Sequence, residues 1–248
     1  MNLLLDIGNS RLKWASTTGE QLSHHGALVR DDKIFTALAT DWQQLPRPQR
    51  ILASNVAGDE FARGLSDWIK GYWNLNVEYV AVEQGLHGLE IAYSQPQLFG
   101  VDRWVALIAA RHLYPGAVCV IDCGTAVTLD VVDDTGKHLG GVIVPGLALM
   151  RSTLLQRSAG VSRGIESASA SAHTLLGHDT RSGVDLGALY AVAGAISHTL
   201  IKIKTEVAQP ITSIITGGDA DVVLNETAAG YHHLPHLVLH GLQRLVDR

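Results

Sequence analysis

The sequence predicts an α/β fold, and two observations support this prediction. Short runs rich in β-branched residues alternate with longer stretches rich in alanine and leucine, which is the pattern of strands separated by helices. A short motif also occurs twice at the ends of such runs, as DIGN at 6–9 and as DCGT at 122–125. The repeated motif indicates that a β-hairpin is duplicated.

Each predicted element follows from its local pattern. Strands are predicted at 2–6, 11–17, 50–53, 77–82, 118–122, 126–133, 139–144 and 211–216. Helices are predicted at 33–44, 59–70, 101–113, 146–156, 183–207 and 219–229. The segment 151–180 is rich in Ser, Ala and Gly, and it predicts a helix end followed by a loop. A Pro-Gly pair at 115–116 interrupts the helical pattern, so a domain boundary is expected between about residues 113 and 118.

Composition excludes several classes of protein. The chain has 248 residues, of which 46% are hydrophobic, and a mean hydropathy of +0.14, as expected for a soluble protein with one large or two small domains. The first apolar run is cut by Asp6 and has no basic flank, so neither a secretory signal nor a membrane anchor is expected. The expected location is the cytoplasm. A net charge of −5 argues against a nucleic-acid-binding surface.

The two cysteines are expected to be reduced and structural. Cys119 and Cys123 lie in one strand-like run, where an offset of four residues separates them by about 13 Å, too far for a disulfide.

The repeated motif has a chemical interpretation beyond a simple turn. A glycine lets the backbone approach a ligand closely. Amides around such a turn can hold a phosphate, Asn9 or Thr125 adds a polar side chain, and Asp6 or Asp122 at the strand end can hold a cation or its water. Two such hairpins facing each other would hold a polyphosphate. A single copy is more simply explained as an ordinary hairpin turn, but the sequence contains two copies.

A third glycine motif, TGGDA at 216–220, follows an apolar strand. In a nucleotide-binding enzyme, Gly217 and Gly218 would let the adenosine lie against the main chain. The chain contains no G-x-x-x-x-G-K-[ST] motif, which disfavours a P-loop enzyme.

In this order the three motifs resemble the actin-like ATPase and sugar kinase superfamily. The string AYSQPQLFGVDRWVALIAARHLYPG at 92–116 is similar to the substrate motif of type III pantothenate kinases, and GGVIVPGLALMRSTLL at 140–155 extends the similarity. The resemblance implies two ribonuclease H-like domains, 1–115 and 116–248, with a nucleotide cleft between them. It also implies a homodimer that phosphorylates pantothenate with ATP, the first step of coenzyme A synthesis.

The resemblance assigns roles to the residues of the substrate motif. Asp102 would be the general base that accepts the proton of the pantothenate hydroxyl. Its position near a predicted helix start favours an ionised carboxylate. The residues implied to bind substrate are Tyr93, Gly100, Val101, Asp102, Arg103 and Thr180. Without the resemblance, Asp102 is equally a helix cap, Arg103 a member of a surface ion pair and Tyr93 a core residue.

The same resemblance assigns the nucleotide site. Asp6 would bind Mg²⁺ through water and Asp122 a monovalent cation, either K⁺ or NH₄⁺. Lys13 would meet phosphate as a point charge, or would simply be a solvated charge on an edge strand. The residues implied to bind ATP are Asp6, Ile7, Gly8, Asn9, Ser10, Arg11, Leu12, Lys13, Gly124, Thr125, Gly217 and Gly218.

Thr180 occupies a segment that departs from the family pattern, with Asp179 where asparagine is usual and Leu186-Gly187 where Ser-Gly is usual. The following stretch, 186–204, is nineteen residues long and apolar. His198 and the basic end favour a buried helix at a dimer interface over a membrane span.

Three further interpretations stay open at this level. His236 and His240 have zinc-like spacing and could share a helical face with His232, but no glutamate completes an H-E-x-x-H motif. The chain could also be a kinase for another small alcohol, or a non-catalytic regulatory member of the family.

Overall fold

The computed structural model describes residues 1–19, 21–158, 160, 175–227 and 230–246. Packing divides the chain into two compact units. The first unit contains residues 1–115, 132–140 and 236–248, and the second contains 116–131 and 141–235. The domain limits 1–115 and 116–248 stay a prediction.

The first unit contains a mixed five-stranded sheet in the order β3-β2-β1-β4-β5. Strand β1 pairs with β2 in antiparallel and with β4 in parallel orientation. The strands are β1 (Asn2–Ile7), β2 (Arg11–Thr18), β3 (Gln21–Val29), β4 (Ile51–Asn55) and β5 (Glu78–Tyr79). The helices of this unit are α1 (Ile34–Trp42), α2 (Asp59–Trp73), α3 (Val101–Leu113) and α7 (Leu237–Val246).

The second sheet repeats the strand order of the first. Its order is β10-β9-β6-β7-β8, so the hairpin β6–β7 takes the place of β1–β2, and β8 takes the place of β3. The strands are β6 (Ala117–Cys123), β7 (Ala126–Val132), β8 (His138–Pro145), β9 (Ile211–Thr216) and β10 (Tyr231–His233). The helices are α4 (Leu147–Arg157), α5 (Thr180–Glu206) and α6 (Ala220–Leu224). The duplication therefore extends from the hairpin to the whole sheet.

Helices cover both faces of the first sheet. Leu5 and Ile7 of β1 are fully buried in a core that includes residues of α1 and α2. Because side chains alternate along a strand, Asp6 lies on the opposite face, where α7 packs against β1 and β4. Gly241 lets α7 lie directly on α3, since a Cβ added there would be 2.0 Å from the carbonyl oxygen of Val105.

The core of the second unit lies between its sheet and helices α4, α5 and α6. Helix α5 supplies Ala188, Val192, Ile196 and Leu200 to this core. Among the described residues, α5 is the one helix long and apolar enough to cross a membrane by length and composition. Its buried residues form one row that packs on this core, and 28% of its most apolar eighteen-residue window is buried.

Most predicted elements are observed, with five corrections. No strand was predicted at 21–29 and no helix at 237–246, where β3 and α7 lie. Helix α5 begins at Thr180 rather than 183, and α6 spans only Ala220–Leu224; residues 228–229 of the predicted helix lie outside the described residues, as do 159, 161–174 of the predicted loop. Within the predicted strand 77–82, pairing is limited to Glu78–Tyr79.

Candidate functional site

The first Asp-x-Gly-Asn motif forms the turn between β1 and β2. The amide of Gly8 donates a 3.0 Å hydrogen bond to the carbonyl oxygen of Arg11, which closes the turn. Asp6 is only 8% exposed, and it lies directly across the strand pair from Lys13. Strand β2 is an interior strand between β1 and β3, so the alternative of Lys13 as an edge-strand charge is wrong. An acidic and a basic residue are therefore cross-strand neighbours next to the turn.

The other predicted residues of this loop separate into two groups. Ile7 and Leu12 are fully buried in the core, so only their backbone is available to a nucleotide. Asn9, Ser10 and Arg11 are exposed at the turn.

Arg30, which was not predicted as a site residue, holds the carbonyl groups of this turn. Its Nη1 atom donates to the carbonyl oxygens of Gly8 at 3.0 Å and Asn9 at 2.6 Å. Its backbone amide donates to the carbonyl oxygen of Ser10 at 3.0 Å. The guanidinium carbon lies 4.1 Å from the centre of the Phe61 ring, a cation–π contact. Burial lowers the pKa of Arg30.

The second motif forms the corresponding turn between β6 and β7, and backbone groups hold it. The amide of Gly124 donates to the carbonyl oxygen of Ala126 at 3.1 Å, and the amide of Gly146 donates to that of Thr125 at 3.0 Å. A Cβ added at Gly146 would be 2.2 Å from the carbonyl oxygen of Gly124. The loop therefore lies directly on the backbone at the start of α4.

The Gly-Gly motif packs against the second turn. Gly217 has φ +99, and a Cβ added there would be 2.4 Å from the carbonyl oxygen of Cys123 and 2.5 Å from Oδ1 of Asp122. The amide of Asp219 donates to the same Cys123 carbonyl at 3.0 Å. Nothing lies within 4 Å of a Cβ added at Gly218. The structure thus brings the second and third motifs together, and it explains Gly217 by packing.

The cysteine beside this turn is chemically inert. Cys119 and Cys123 are free and buried, as predicted. Burial, assisted by the nearby Asp122 carboxylate, raises the pKa of Cys123 to about 12. Because the thiolate is the reactive form, this side chain has a packing role.

The substrate motif is located at the start of α3. Gly100 precedes the helix, Val101 is its first residue, and Asp102 lies in its first turn. Oδ1 of Asp102 accepts a 2.8 Å hydrogen bond from the amide of Arg103. A Cβ at Gly100 would be 2.7 Å from that oxygen, so glycine is needed for the carboxylate to take this position.

Aromatic rings surround Arg103. Its guanidinium carbon is 4.3 Å from the centre of the Phe99 ring, and Nη1 donates to the hydroxyl oxygen of Tyr93 at 3.3 Å. The Tyr93 ring lies edge-on to Phe99, with 5.1 Å between centroids. Tyr93 is 37% exposed, so the alternative of a core tyrosine is wrong. Fully buried His138 supports Phe99 from below, with 5.0 Å between centroids.

Thr180 is the first residue of α5, in the second unit. Asp179 caps the helix, since its Oδ1 accepts from the amide of Ser182 at 2.8 Å and the Ser182 hydroxyl oxygen accepts from the Asp179 amide. The hydrogen bond from the Ser182 amide is the main cause of the lowered pKa of Asp179. Aspartate thus provides the side-chain oxygen that asparagine also provides at a helix N-cap.

The three histidines considered for zinc do not share an element. His232 belongs to strand β10, whereas His240 lies in α7, so the predicted common helical face is wrong. Among the described residues, no group of three His, Cys, Asp or Glu side chains is placed to hold a metal ion.

Comparison with known proteins identifies the family. The family model for type III pantothenate kinase matches residues 2–202. The chain belongs to the type III pantothenate kinase family. A type III pantothenate kinase of Nitrosococcus oceani is 38% identical over 99% of this chain and 93% of its own length. As a member of this family the protein is an enzyme, a kinase.

Solved structures show the fold of this family member. A Baf family protein of Campylobacter jejuni matches with a TM-score of 0.57 at 22% identity, over 99% of this chain and 97% of that one. A ROK family glucokinase of Streptomyces griseus, solved with glucose and AMPPNP, matches with a TM-score of 0.52 at 12% identity, over 99% of each chain. The α/β fold with two mixed sheets is therefore that of actin-like ATPases and sugar kinases, as predicted.

Proposed function

We propose that this protein transfers the γ-phosphoryl group of ATP to the primary hydroxyl of pantothenate and forms 4′-phosphopantothenate, the first step of coenzyme A biosynthesis. Family membership supports the reaction. The observation that carries the residue assignment is the arrangement at the start of α3, where Asp102 and Arg103 lie beside an exposed tyrosine. A carboxylate next to a guanidinium suits an alcohol that must lose a proton beside an anion.

Asp102 is the proposed general base. Its Oδ1 is fixed by the Arg103 amide at 2.8 Å, and the positive end of α3 favours the ionised carboxylate. The bond between the pantothenate oxygen and the γ-phosphorus forms as the bond from that phosphorus to the bridging oxygen of ADP breaks. Asp102 orients the hydroxyl and accepts its proton in a loose transition state.

The aromatic group around Arg103 is the proposed platform for the substrate. The Phe99 ring holds the guanidinium from one side and Tyr93 accepts its hydrogen bond, so the cation has little rotational freedom left to lose on binding. With Gly100 and Val101, these groups would line the pantothenate site. Thr180 of the second unit is proposed as a further substrate contact, contributed across a homodimer interface.

The two turns are the proposed ATP-binding loops. In the first, Asn9, Ser10 and Arg11 are exposed above the Asp6–Lys13 pair. In the second, Thr125 is exposed and Gly217 packs against the backbone of the turn at Cys123. Glycine-rich turns with exposed amides are suited to phosphate oxygens, and Lys13 supplies a positive charge.

Both proposed cations fit the oxygen donors that these loops contain. Asp6 and Asp122 end equivalent strands, β1 and β6, and carboxylate oxygens are the ligands of hard cations. Asp6 would hold Mg²⁺ through water, and Asp122 a monovalent K⁺ or NH₄⁺ ion. Bound cations would offset the negative charge that the phosphates carry during transfer.

We also propose that the protein is a cytoplasmic homodimer without a nucleic-acid or membrane partner. A net charge of −5 supports the first exclusion. The burial of Val192 and Ile196 of α5 in the core of the second unit supports the second. Exposed apolar residues on the same helix, such as Ile201 at 66%, support an interface between subunits.

The test is phosphorylation of pantothenate by the purified protein with MgATP, in parallel potassium and sodium buffers, with the product identified by mass. We expect 4′-phosphopantothenate in potassium and much less in sodium. Product in neither buffer, from folded protein that binds ATP, contradicts the proposed substrate and favours a regulatory protein or a kinase for another alcohol. Equal product in both contradicts the cation site alone.

A further inference from the structure

Arg30 makes three hydrogen bonds to one turn of the proposed ATP site. Its Nη1 reaches the carbonyl oxygens of Gly8 and Asn9, and its backbone amide reaches that of Ser10. Three consecutive carbonyl groups are thus bound by one residue, which is located just after β3 and about twenty positions away in the sequence.

The direction of these carbonyl groups also fixes the direction of the neighbouring amides. No cis peptide is present among the described residues, and in a trans peptide the C=O and N–H groups point in opposite directions. The carbonyl of Gly8 shares its peptide plane with the amide of Asn9, and the carbonyl of Asn9 shares its plane with the amide of Ser10. Because Arg30 binds both carbonyl oxygens, the amides of Asn9 and Ser10 point away from the guanidinium. Asn9 and Ser10 are both exposed residues.

The guanidinium is itself held in place. It lies 4.1 Å from the centre of the Phe61 ring, and Phe61 stacks on Phe35 with 6.1 Å between centroids. The Nε atom of Arg30 is buried and has no hydrogen-bond partner among the described residues. Burial of a donor without a partner is unfavourable, so the two bonds from Nη1 have to outweigh this cost.

We infer that Arg30 is a positioning residue for ATP, which aims the amides of Asn9 and Ser10 at phosphate oxygens without touching the nucleotide. This inference rests on the proposed function of the turn as a phosphate-binding loop. It makes phosphate binding depend on a side chain outside the motif, and it predicts that loss of Arg30 affects the phosphate part of the nucleotide and leaves adenosine and pantothenate binding unchanged.

A matched control exists in the same unit. Arg47 also donates to two consecutive carbonyl oxygens, those of Trp73 at 2.7 Å and Asn74 at 3.4 Å, at the end of α2. Arg47→Met removes the same chemical group from the same kind of partner, away from the turn. Any effect common to Arg30→Met and Arg47→Met is a general effect on stability.

The experiment measures ADP and adenosine binding to the full-length protein by calorimetry, and the KM values for ATP and pantothenate. We expect Arg30→Met to weaken ADP binding about tenfold, as for loss of a charged hydrogen bond, and to raise the KM for ATP with little change in kcat. Adenosine binding and the KM for pantothenate should stay at the wild-type values. Arg30→Lys, which keeps one charged donor, should restore part of the ADP affinity.

Three results overturn the inference: unchanged ADP binding in Arg30→Met, equal weakening of ADP and adenosine, or the same loss in Arg47→Met. If Arg30→Met does not fold, Arg30→Lys gives the decision, because wild-type ADP affinity in that variant contradicts a role for the paired hydrogen bonds. Failure of the proposed function looks different: wild-type protein would then form no phosphopantothenate while Arg30→Met still lost ADP affinity.

Discussion

The two proposed phosphate loops occupy equivalent positions in a duplicated sheet, yet they are supported in different ways. Asp6 and Asp122 are 116 positions apart, and the same offset carries Arg30 onto Gly146. In the first unit this position supplies a side chain that binds two carbonyl oxygens of the turn. In the second it supplies only a backbone amide, which binds the carbonyl oxygen of Thr125.

The difference shows that a turn at the same place in the fold can be held by a side chain or by close backbone packing. The second turn lies so near Gly146 and Gly217 that a Cβ at either would be within 2.5 Å of a loop oxygen. The first turn leaves room for a guanidinium between itself and Phe61. We therefore expect the first loop to tolerate substitution of its support with graded losses, and the second loop to fail abruptly.

The largest loss of turnover is expected at Asp102, which belongs to neither loop. The losses in the loop variants can be compared with it. Asp102→Asn keeps an Oδ1 atom to accept from the Arg103 amide, so the fold and ATP binding should survive. Turnover should fall by about 10²- to 10⁴-fold, the usual contribution of a general base. Steady-state kinetics with calorimetric ATP titration measures both quantities. Full activity would refute the assignment of the base.

The second loop is tested by a pair of glycine substitutions. Gly217→Ala places a Cβ 2.4 Å from the Cys123 carbonyl oxygen at a φ of +99, which should cost about 3 kcal/mol of unfolding free energy or more. Gly218→Ala meets nothing within 4 Å and should leave the unfolding free energy nearly unchanged. Urea unfolding of both variants measures this. Equal destabilisation would show that close packing is not what fixes the second loop.

The proposed cation site distinguishes the two loops, since only the second loop is expected to depend on potassium. Asp122→Asn removes the carboxylate charge at the end of β6 while Asp6 stays intact at the end of β1. Turnover should lose its potassium dependence and fall about tenfold, the equivalent of about 1.4 kcal/mol. The ratio of rates in potassium and sodium is the measurement. A ratio that stays at the wild-type value places the ion elsewhere.

The smallest effect concerns the pH dependence of the unfolding free energy, through His236 in the first unit. Burial, with further contributions from His25, Lys13 and His240, lowers the pKa of His236. Because the unfolded chain then binds this proton more readily than the folded chain, the free energy of unfolding is unaffected well above the unfolded pKa of about 6.5 and falls as the pH drops below it. His236→Gln should flatten the dependence by less than about 1 kcal/mol, since the ring is partly solvated. Unfolding free energies at pH 5 and 7.5 test this, and an unchanged difference would contradict it.

The local sequence predicted the elements that carry the candidate site better than it predicted strand β3 or helix α7. The turns, the start of α3 and Gly217 carry patterns that a short window contains. Strand β3 reads QLSHHGALV, with polar residues on both faces and a burial pattern that is mostly exposed, so periodicity does not reveal it. The duplication could have done so, because the offset of 116 carries 21–29 onto 137–145, where β8 was predicted.

Arg30 and His138 were missed for a different reason. Their roles arise from pairing over long sequence distances: Arg30 reaches back to the first turn from the end of β3, and His138 comes from β8 to lie against Phe99. An arginine after a polar strand has no distinctive local pattern. Comparison of the two repeats would have marked position 30 only as the partner of Gly146, without indicating the contact.

Competition among alcohols tests directly whether pantothenate is the phosphoryl acceptor. Purified protein is given MgATP in potassium buffer with equal concentrations of pantothenate, glycerol and glucose, and the phosphorylated products are separated by mass. We expect 4′-phosphopantothenate as the dominant product, and its loss in Asp102→Asn. Phosphorylation of another alcohol in its place, or no product from protein that binds ATP, would show that pantothenate is not the substrate.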